Sequence, residues 1–299
     1  MYTMYKLAVD IGGTKTIVGV IDENMEIIDF QTFETIAPSP QQQFDKIISL
    51  AKEYKSNYDQ LAPQTLNIAM PGPCEYKEGI FLNPPNLQQY NGFNAGDYIR
   101  KYSDFKPAFV NDTDAAIRAE YRDLDVNEDS FIYLTISTGI GLAYMNNGKP
   151  LAGVDGNFGE IGHTIIKTDS DYQCPVCKQY GCVENEISGL AISRKATDIM
   201  GEETSTRQAI DMYMNDEHSG MTAMLDEVMK MTQQLCNNIY SLYNVYTIVL
   251  GGGVTNSALP YKESIESYAK KHNLMTEGEF KVKISNLNSN VLAGLYDVK

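Results

Sequence analysis

Three times along this chain of 299 residues an apolar strand pattern stops in a glycine-rich turn. Lys6–Asp10 runs into Gly12-Gly13, Phe131–Ser137 into Thr138-Gly139-Ile140-Gly141, and Thr247–Leu250 into Gly251-Gly252-Gly253. Short apolar runs bounded by such turns read as strands. Around the first turn, strands are expected at Thr16–Ile21 and Glu26–Thr32, with the turn signal Asp22-Glu23-Asn24 between them. Gln41–Tyr58 has helical spacing, with Phe44, Ile47, Ile48, Ala51 and Tyr54 on one face. Leu66–Met70 is a buried strand ending at Pro71-Gly72-Pro73, and Ala108–Val110 a further strand before a helix at Asp114–Tyr121. The order βββαβ…βα is an α/β pattern. A second such unit begins at Phe131, continues through Leu142–Asn146 and turns at Asn147-Gly148, a hairpin dipeptide. Helices follow at Gly189–Met200, Ser205–Met214 and Met221–Tyr243. After the third glycine turn come a helix at Tyr261–His272, a strand at Lys281–Ser285 and a short helix at Val291–Tyr296. At about 100–200 residues per domain, two domains suit this length.

Charge narrows the partners. Asp and Glu number 39 against 24 Lys and Arg, a net charge of -15, which opposes a nucleic-acid footprint and a match to anionic lipid. No apolar run approaches the ~20 residues of a membrane span. Asp10 interrupts the first apolar run, so no secretory signal is read, and the expectation is a soluble cytoplasmic protein.

Five cysteines are unevenly placed: Cys74 and Cys236 stand alone, whereas Cys174, Cys177 and Cys182 fall close together. In a reducing compartment such a cluster points to metal before disulfide. With His163 it supplies four ligands of the kinds that suit tetrahedral Zn²⁺, in a polar stretch without apolar periodicity. Glu160 and Glu184 flank those ligands, and in a zinc-pinned loop both carboxylates would suit sugar hydroxyls; ordinary surface charge is the plainer account.

Asp10-Ile11-Gly12-Gly13-Thr14-Lys15 carries the ingredients of a phosphate site: backbone N–H groups exposed by glycine, a hydroxyl at Thr14, a cation at Lys15, and Asp10 to position hydrated Mg²⁺. An ordinary hairpin turn explains the glycines alone equally well. Thr138 and Gly139 offer a second phosphate cradle. Gly252 and Gly253 would admit a base or ribose close to the backbone, or simply make a tight turn. Asn111-Asp112-Thr113-Asp114 joins a strand end to a helix start. Asp114 suits helix capping. Asp112, at the strand end, is either a second helix-terminal acid or a base that takes the proton of a hydroxyl nucleophile.

Together these segments resemble the ROK family of repressors, open reading frames and sugar kinases. The motifs appear in order from Asp10–Lys15 through Pro71-Gly72-Pro73, Pro85-Asn86-Leu87, Asn111-Asp112, Thr138–Gly141, Gly159–His163 and Gly181–Glu184 to Leu250–Gly253. The resemblance implies the actin/hexokinase-like fold: two similar RNase H-like α/β domains around a nucleotide and sugar cleft, usually in a homodimer. Residues 1–117 would form one domain, with the C-terminal helix at about 288–299 returning to it, and 118–287 the other, with the zinc loop. It implies an ATP-dependent kinase in which Asp112 deprotonates a sugar's 6-hydroxyl. Gly72, Asn86, Asn111, Glu160, His163 and Glu184 would bind the sugar, His163 holding zinc by its other ring nitrogen. Gly12, Gly13, Thr14, Thr138 and Gly139 would hold the phosphates of MgATP, and Gly252 and Gly253 the adenosine.

The chain departs from the family's usual form in several places. The gap from Cys174 to Cys177 is one residue longer and Lys178 replaces a glycine in the cysteine loop, while Leu142-Ala143 follow Gly141 in place of glycine. Thr113-Asp114 changes the tail of the Asn111-Asp112 motif and adds charge beside Asp112, and Tyr90 stands where many members have tryptophan. Fructokinases of the family carry a histidine inside the cysteine loop. None lies between Cys174 and Cys182, which favours an aldohexose or N-acetylhexosamine, glucose or N-acetylmannosamine first, over fructose. N-acetylglucosamine, a glucoside and a non-catalytic sugar sensor are the other readings. The phosphate loop begins within ten residues of the first, leaving no room for the DNA-binding module of the family's repressors.

Overall fold

The structure, a computed structural model, describes residues 4–58, 61–124, 128–272, 279–287 and 290–298. These group into two compact units, one drawn from 1–125, 150–158 and 287–299, the other from 126–149 and 159–286.

In the first unit the antiparallel meander β1 (Tyr5–Ile11), β2 (Lys15–Ile21) and β3 (Ile27–Glu34) precedes helix α1 (Pro40–Asn57). Strand β4 (Leu61–Met70) then pairs parallel with β1. A two-residue hairpin, β5 (Cys74–Glu75) with β6 (Ile80–Phe81), leads to helix α2 (Ala95–Tyr102). Strand β7 (Lys106–Asn111), parallel to β4, feeds α3 (Asp112–Asp123), so the sheet order is β3-β2-β1-β4-β7.

Alternation divides the inner strands between two cores, as the pleat requires. Leu7, Val9, Ile11, Val18 and Val20 face Phe44, Ile47, Ala51 and Tyr54 of α1. Ala8, Ile17, Ile21 and Ala69 face Ala115 and the C-terminal residues Leu292, Leu295 and Val298. The small residues on this side permit a close approach: a methyl on Gly294 would lie 1.7 Å from the Ala115 carbonyl oxygen. Buried Asn67 locks the segment down, its Nδ2 donating to the Leu295 carbonyl at 2.7 Å and the Val298 carbonyl at 3.3 Å. Asn67→Val is expected to cost about 1–3 kcal/mol, the penalty of orphaning buried acceptors. Urea unfolding measures it, and faster proteolysis within 290–298 should accompany it.

The second unit repeats the plan. Strands β8 (Phe131–Ile136) and β9 (Ile140–Asn146) are antiparallel, and β10 (Lys149–Pro150) extends that edge. Helices α4 (Val183–Ile187), α5 (Gly189–Met200), α6 (Thr206–Met214) and α7 (Ser219–Tyr243) follow. Strand β11 (Thr247–Gly251) is parallel to β8, and after α8 (Tyr261–His272), β12 (Lys281–Ile284) is parallel to β11. The order β10-β9-β8-β11-β12 thus puts an antiparallel edge on a parallel centre, as in the first unit. The short helix Asn290–Gly294, α9, ends as a 3₁₀ turn at Leu295–Asp297, where one continuous helix was expected.

Two further differences bear on function. Asp114 is not the cap of α3: Asn111 is, its Oδ1 accepting from the Thr113 N–H at 2.9 Å, and Asp114 faces Arg118 at 3.8 Å. Asn is a better cap than a residue already inside the helix, because the cap needs the extended backbone found at Asn111. Helices α2 and α4 were not foreseen, having eight and five residues and too few turns to show a period.

Candidate active site

In each unit several candidate residues lie at the carboxyl ends of parallel strands, where open α/β sheets carry their sites. Strands β1, β4 and β7 end respectively at the Asp10–Lys15 loop, Pro71-Gly72-Pro73 and Asn111-Asp112. Strands β8 and β11 end at Thr138-Gly139 and Gly252-Gly253.

In the first unit the Gly12–Lys15 turn is too tight for side chains at Gly12 and Gly13. A methyl on Gly12 would meet the Lys15 carbonyl at 2.9 Å, and one on Gly13 would meet Asn86 Cβ at 2.9 Å. The structure therefore brings Asn86 against the candidate phosphate loop, with Thr14 and Lys15 exposed. Asp10 feels the charge of Asp112. Burial first, then Asp112, pushes the Asp10 carboxyl up to about 7, against the pull of Lys15. Burial also raises Asp112, whose Oδ1 accepts from the Thr113 N–H at 2.8 Å; Asp114 is not a cause of that shift. Burial raises Asp114 too, opposed by Arg118. Asn111 is more constrained than its sequence suggests: its Nδ2 donates to the Tyr76 hydroxyl at 2.8 Å while Oδ1 also accepts from Thr113 Oγ1 at 2.6 Å. Tyr76 carried no sequence signal, lying 35 residues away in an otherwise unremarked loop.

The Asp10 shift has a consequence for stability. Between the ordinary value of 3.8 and about 7 the folded chain holds more protons than the unfolded one, so stability falls as pH rises across that window. Asp10→Asn removes the buried charge. Each pK unit is about 1.4 kcal/mol, and at this size 1 kcal/mol moves Tm by about 2–4 °C. The ligand-free variant should therefore melt several degrees above the parent at pH 8 and alongside it at pH 4, by scanning calorimetry.

In the second unit the turn Ser137–Gly139 is held from behind. The Gly189 N–H donates to the Ser137 carbonyl at 2.8 Å, and the Ile140 N–H to Glu184 Oε2 at 3.0 Å. A methyl on Gly139 would lie 2.6 Å from that same oxygen. Glu184, in the first turn of α4, is thus anchored to the candidate phosphate turn as well as lying beside the zinc ligands. Its Cβ approaches Gly162, next to His163. Glu160 opens the 3₁₀ turn Ile161–His163, and its Oε2 lies 3.8 Å from His163 Nε2. At the end of β11, Gly252 has φ +97°, and a methyl there would meet the Ile136 carbonyl at 2.4 Å. Gly253 has open space instead, so the two glycines serve different ends.

The donor atoms of His163, Cys174, Cys177 and Cys182 all lie within 4.8 Å of one another. Donors around tetrahedral zinc, at bonds of about 2.0–2.3 Å, sit about 3.3–3.8 Å apart, so a modest contraction suffices. His163 Nδ1 is buried without a hydrogen-bond partner, which a metal ion would supply, leaving Nε2 on the Glu160 side. All five cysteines are free thiols. Burial pushes Cys182 up to about 12. At Cys177 burial is outweighed by hydrogen bonds from Gln179, Cys174 and Cys182, which hold its thiol below the usual range. The residues fit zinc. Lys178 takes a left-handed backbone, φ +62°, the region glycine favours.

Sequence reasoning did not find what braces this loop. Glu186, 2% exposed, accepts from Lys195 Nζ at 2.7 Å and from Ser170, contacts that outweigh burial and lower its carboxyl. Arg194 stacks on Tyr172, 3.6 Å from the ring centroid, and donates to Asn185. No helix among the described residues is long and apolar enough to cross a membrane.

Known proteins bear on this arrangement. The ROK family profile matches residues 6–295. An N-acetylmannosamine kinase of Yersinia pestis (strain Pestoides F) is 30% identical over 264 residues, 88% of each chain. Among solved structures, a ROK hexokinase from Thermus thermophilus superposes with TM-score 0.84 at 23% identity, covering 98% of this chain and 96% of its own. A ROK family glucokinase from Streptomyces griseus, in complex with glucose and AMPPNP, gives 0.76 at 22%, covering 98% of both. The paired sheets have the actin/hexokinase-like fold that the motifs implied. Spanning nearly its full length, the match makes the chain a member of the ROK family.

Proposed function

We propose that this protein is an ATP-dependent sugar kinase that phosphorylates the 6-hydroxyl of a hexose or N-acetylhexosamine. The observation that carries the reading is Asp112: a carboxylate at the end of β7, raised by burial toward the pH at which a base works, in a ROK chain whose 30%-identical relatives bear kinase names. Its free oxygen takes the proton of the sugar hydroxyl as that oxygen forms a bond to the γ-phosphorus. The bond from phosphorus to the β,γ-bridging oxygen breaks, leaving ADP.

The remaining roles follow from chemistry. The N–H groups of Gly13 and Thr14, with Lys15, bind phosphate, while Gly12 shapes the turn with its own N–H on the Lys15 carbonyl; Thr138 and Gly139 also bind phosphate. Gly252 and Gly253 leave room for adenosine. Asp10, whose charge is costly beside Asp112, is the carboxylate that a Mg²⁺–water shell on ATP would relieve. Mg²⁺ neutralises charge developing on the transferred phosphoryl group. Gly72, Asn86, Asn111, Glu160, His163 and Glu184 bind the sugar hydroxyls. His163 Nδ1 and the three thiolates would hold zinc, which would fix the ring so that Nε2 could meet a sugar hydroxyl.

N-acetylmannosamine is the leading substrate, on the relatives' names, with glucose next. A panel of hexoses and N-acetylhexosamines, read as ADP release and ranked by kcat/KM, tests this. ATP turnover that no sugar stimulates would overturn the kinase reading and favour a sugar sensor. The homodimer implied by family resemblance is read by light scattering.

A further inference from the structure

A buried polar chain runs behind the Gly12–Lys15 loop. Gln43 of α1 and Thr16 of β2 are fully buried, and Thr35, just past β3, is 7% exposed. Gln43 Oε1 accepts from the Ile36 N–H at 2.9 Å, which fixes the orientation of the amide and turns Nε2 to Thr16 Oγ1 at 2.7 Å. Thr16 Oγ1 lies 2.9 Å from Thr35 Oγ1, and Thr35 Oγ1 lies 2.8 Å from the Gly12 carbonyl oxygen. A carbonyl only accepts and each hydroxyl has one proton, so the direction is forced: Gln43 donates to Thr16, Thr16 to Thr35, and Thr35 to Gly12.

Bookkeeping of the loop backbone gives this chain its meaning. The Gly12 N–H donates to the Lys15 carbonyl at 2.9 Å, and the Thr35 N–H to the Thr14 carbonyl at 2.9 Å. Thr35 therefore grips the loop on both sides of Gly13, by hydroxyl and by backbone. The Gly13 and Thr14 N–H groups have no partner among the described residues, in a loop that is half-buried at Gly13 and exposed at Thr14. A carbonyl that accepts a polarised hydrogen bond draws electron density from its own peptide, and the N–H of the Gly12–Gly13 peptide belongs to Gly13.

We propose that Gln43, Thr16 and Thr35 are positioning residues for nucleotide phosphate, a one-way hydrogen-bond relay that fixes the Gly12–Gly13 peptide and strengthens the Gly13 N–H as a donor. The proposal rests on the reading of Asp10–Lys15 as a phosphate loop. It accounts for the burial of three linked polar side chains, one of them, Gln43, next in α1 to the core residue Phe44.

The test is Thr35→Val, which keeps the shape and removes the donor, with Thr35→Ser as rescue and Gln43→Met as a second break in the relay. Thr35→Val should raise KM for ATP about tenfold, the scale of a buried acceptor losing its donor. Sugar KM and kcat at saturating ATP should stay within about twofold, Thr35→Ser should restore the parent value, and Gln43→Met should move KM for ATP in the same direction by less. Unchanged KM for ATP in both broken variants would overturn the relay. So would a parallel loss of ATP and sugar affinity with a lowered Tm, the mark of a support that is only structural. The phosphate reading is checked apart, by hydrogen exchange of the unmodified protein with MgADP. If the Gly13 and Thr14 amides are not slowed, that reading falls and the relay's function with it, even where Thr35→Val loosens the loop.

Discussion

Asp112→Asn should lower kcat by about 10²–10⁴-fold, the range that a positioned general base contributes, while changing sugar affinity only a fewfold. Asparagine keeps the size of the side chain and the acceptor that meets the Thr113 N–H, so α3 starts as before. What is lost is the second carboxylate oxygen as a proton acceptor. The charge also has an effect on its neighbour: Asp112 raises the Asp10 carboxyl, so the substitution should let that carboxyl fall from about 7. Two signatures then separate a base from a mere structural acid. The acid limb of the kcat/KM profile, which for a carboxylate raised by burial lies above its ordinary 3.8, should disappear with the base. The ligand-free variant should be more stable than the parent at neutral pH, because a buried charge has been removed. Sugar-dependent turnover within tenfold of the parent would show that proton transfer does not go through Asp112.

The strand-and-turn skeleton was readable because its signals are local. Apolar runs ending in Gly12-Gly13, Thr138-Gly139 and Gly251–Gly253 demand tight turns wherever they occur. The one-face spacing of Phe44, Ile47, Ile48, Ala51 and Tyr54 similarly fixes α1, and all five are buried. The ligand set His163, Cys174, Cys177 and Cys182 was readable because thiols and imidazole have few other reasons to gather in a polar stretch. What stayed hidden is long-range. Nothing near Glu184 in the chain announces that its carboxylate meets the Ile140 N–H, 44 residues away, or that Asn67 meets Leu295 across 228. The Lys178 departure is instructive in the other direction: a lysine can occupy the left-handed region at a cost of about 1–2 kcal/mol, and the four donor atoms gather with lysine there. Asp114 was misread as the cap because helix-favouring acids fill both the cap and the first turn, and only the backbone at Asn111 distinguishes the two.

Removing zinc should damage sugar binding more than folding. The second unit, which carries the cysteine loop, has its own apolar interior, with Phe131, Leu134, Ile136, Leu225, Leu235 and Leu250 buried, so the chelator-treated protein should still melt cooperatively, though on the order of 5–10 °C lower. The loop's residues are mostly exposed, Cys174 and Cys182 are its buried anchors, and the Glu186 and Arg194 contacts brace only its flanks. Cys182 precedes the first residue of α4, and Glu184 follows in that helix's first turn. A loosened Cys182 therefore displaces Glu184, and with it the acceptor of the Ile140 N–H in the candidate phosphate turn. His163 loses the partner of its buried Nδ1 at the same moment, so the ring facing Glu160 is no longer oriented. Disturbing the groups that orient a ligand set commonly costs about 10–100-fold, and sugar KM should rise by that order, with a smaller rise for ATP. Cys182→Ala should reproduce the effect without chelator, whereas Cys236→Ala, a buried thiol in α7 remote from the cluster in sequence, should keep its zinc. Metal analysis should find one zinc per chain in the parent and none in Cys182→Ala. A parent without zinc, or a stripped protein with unchanged sugar KM, would remove the metal from the account of the site.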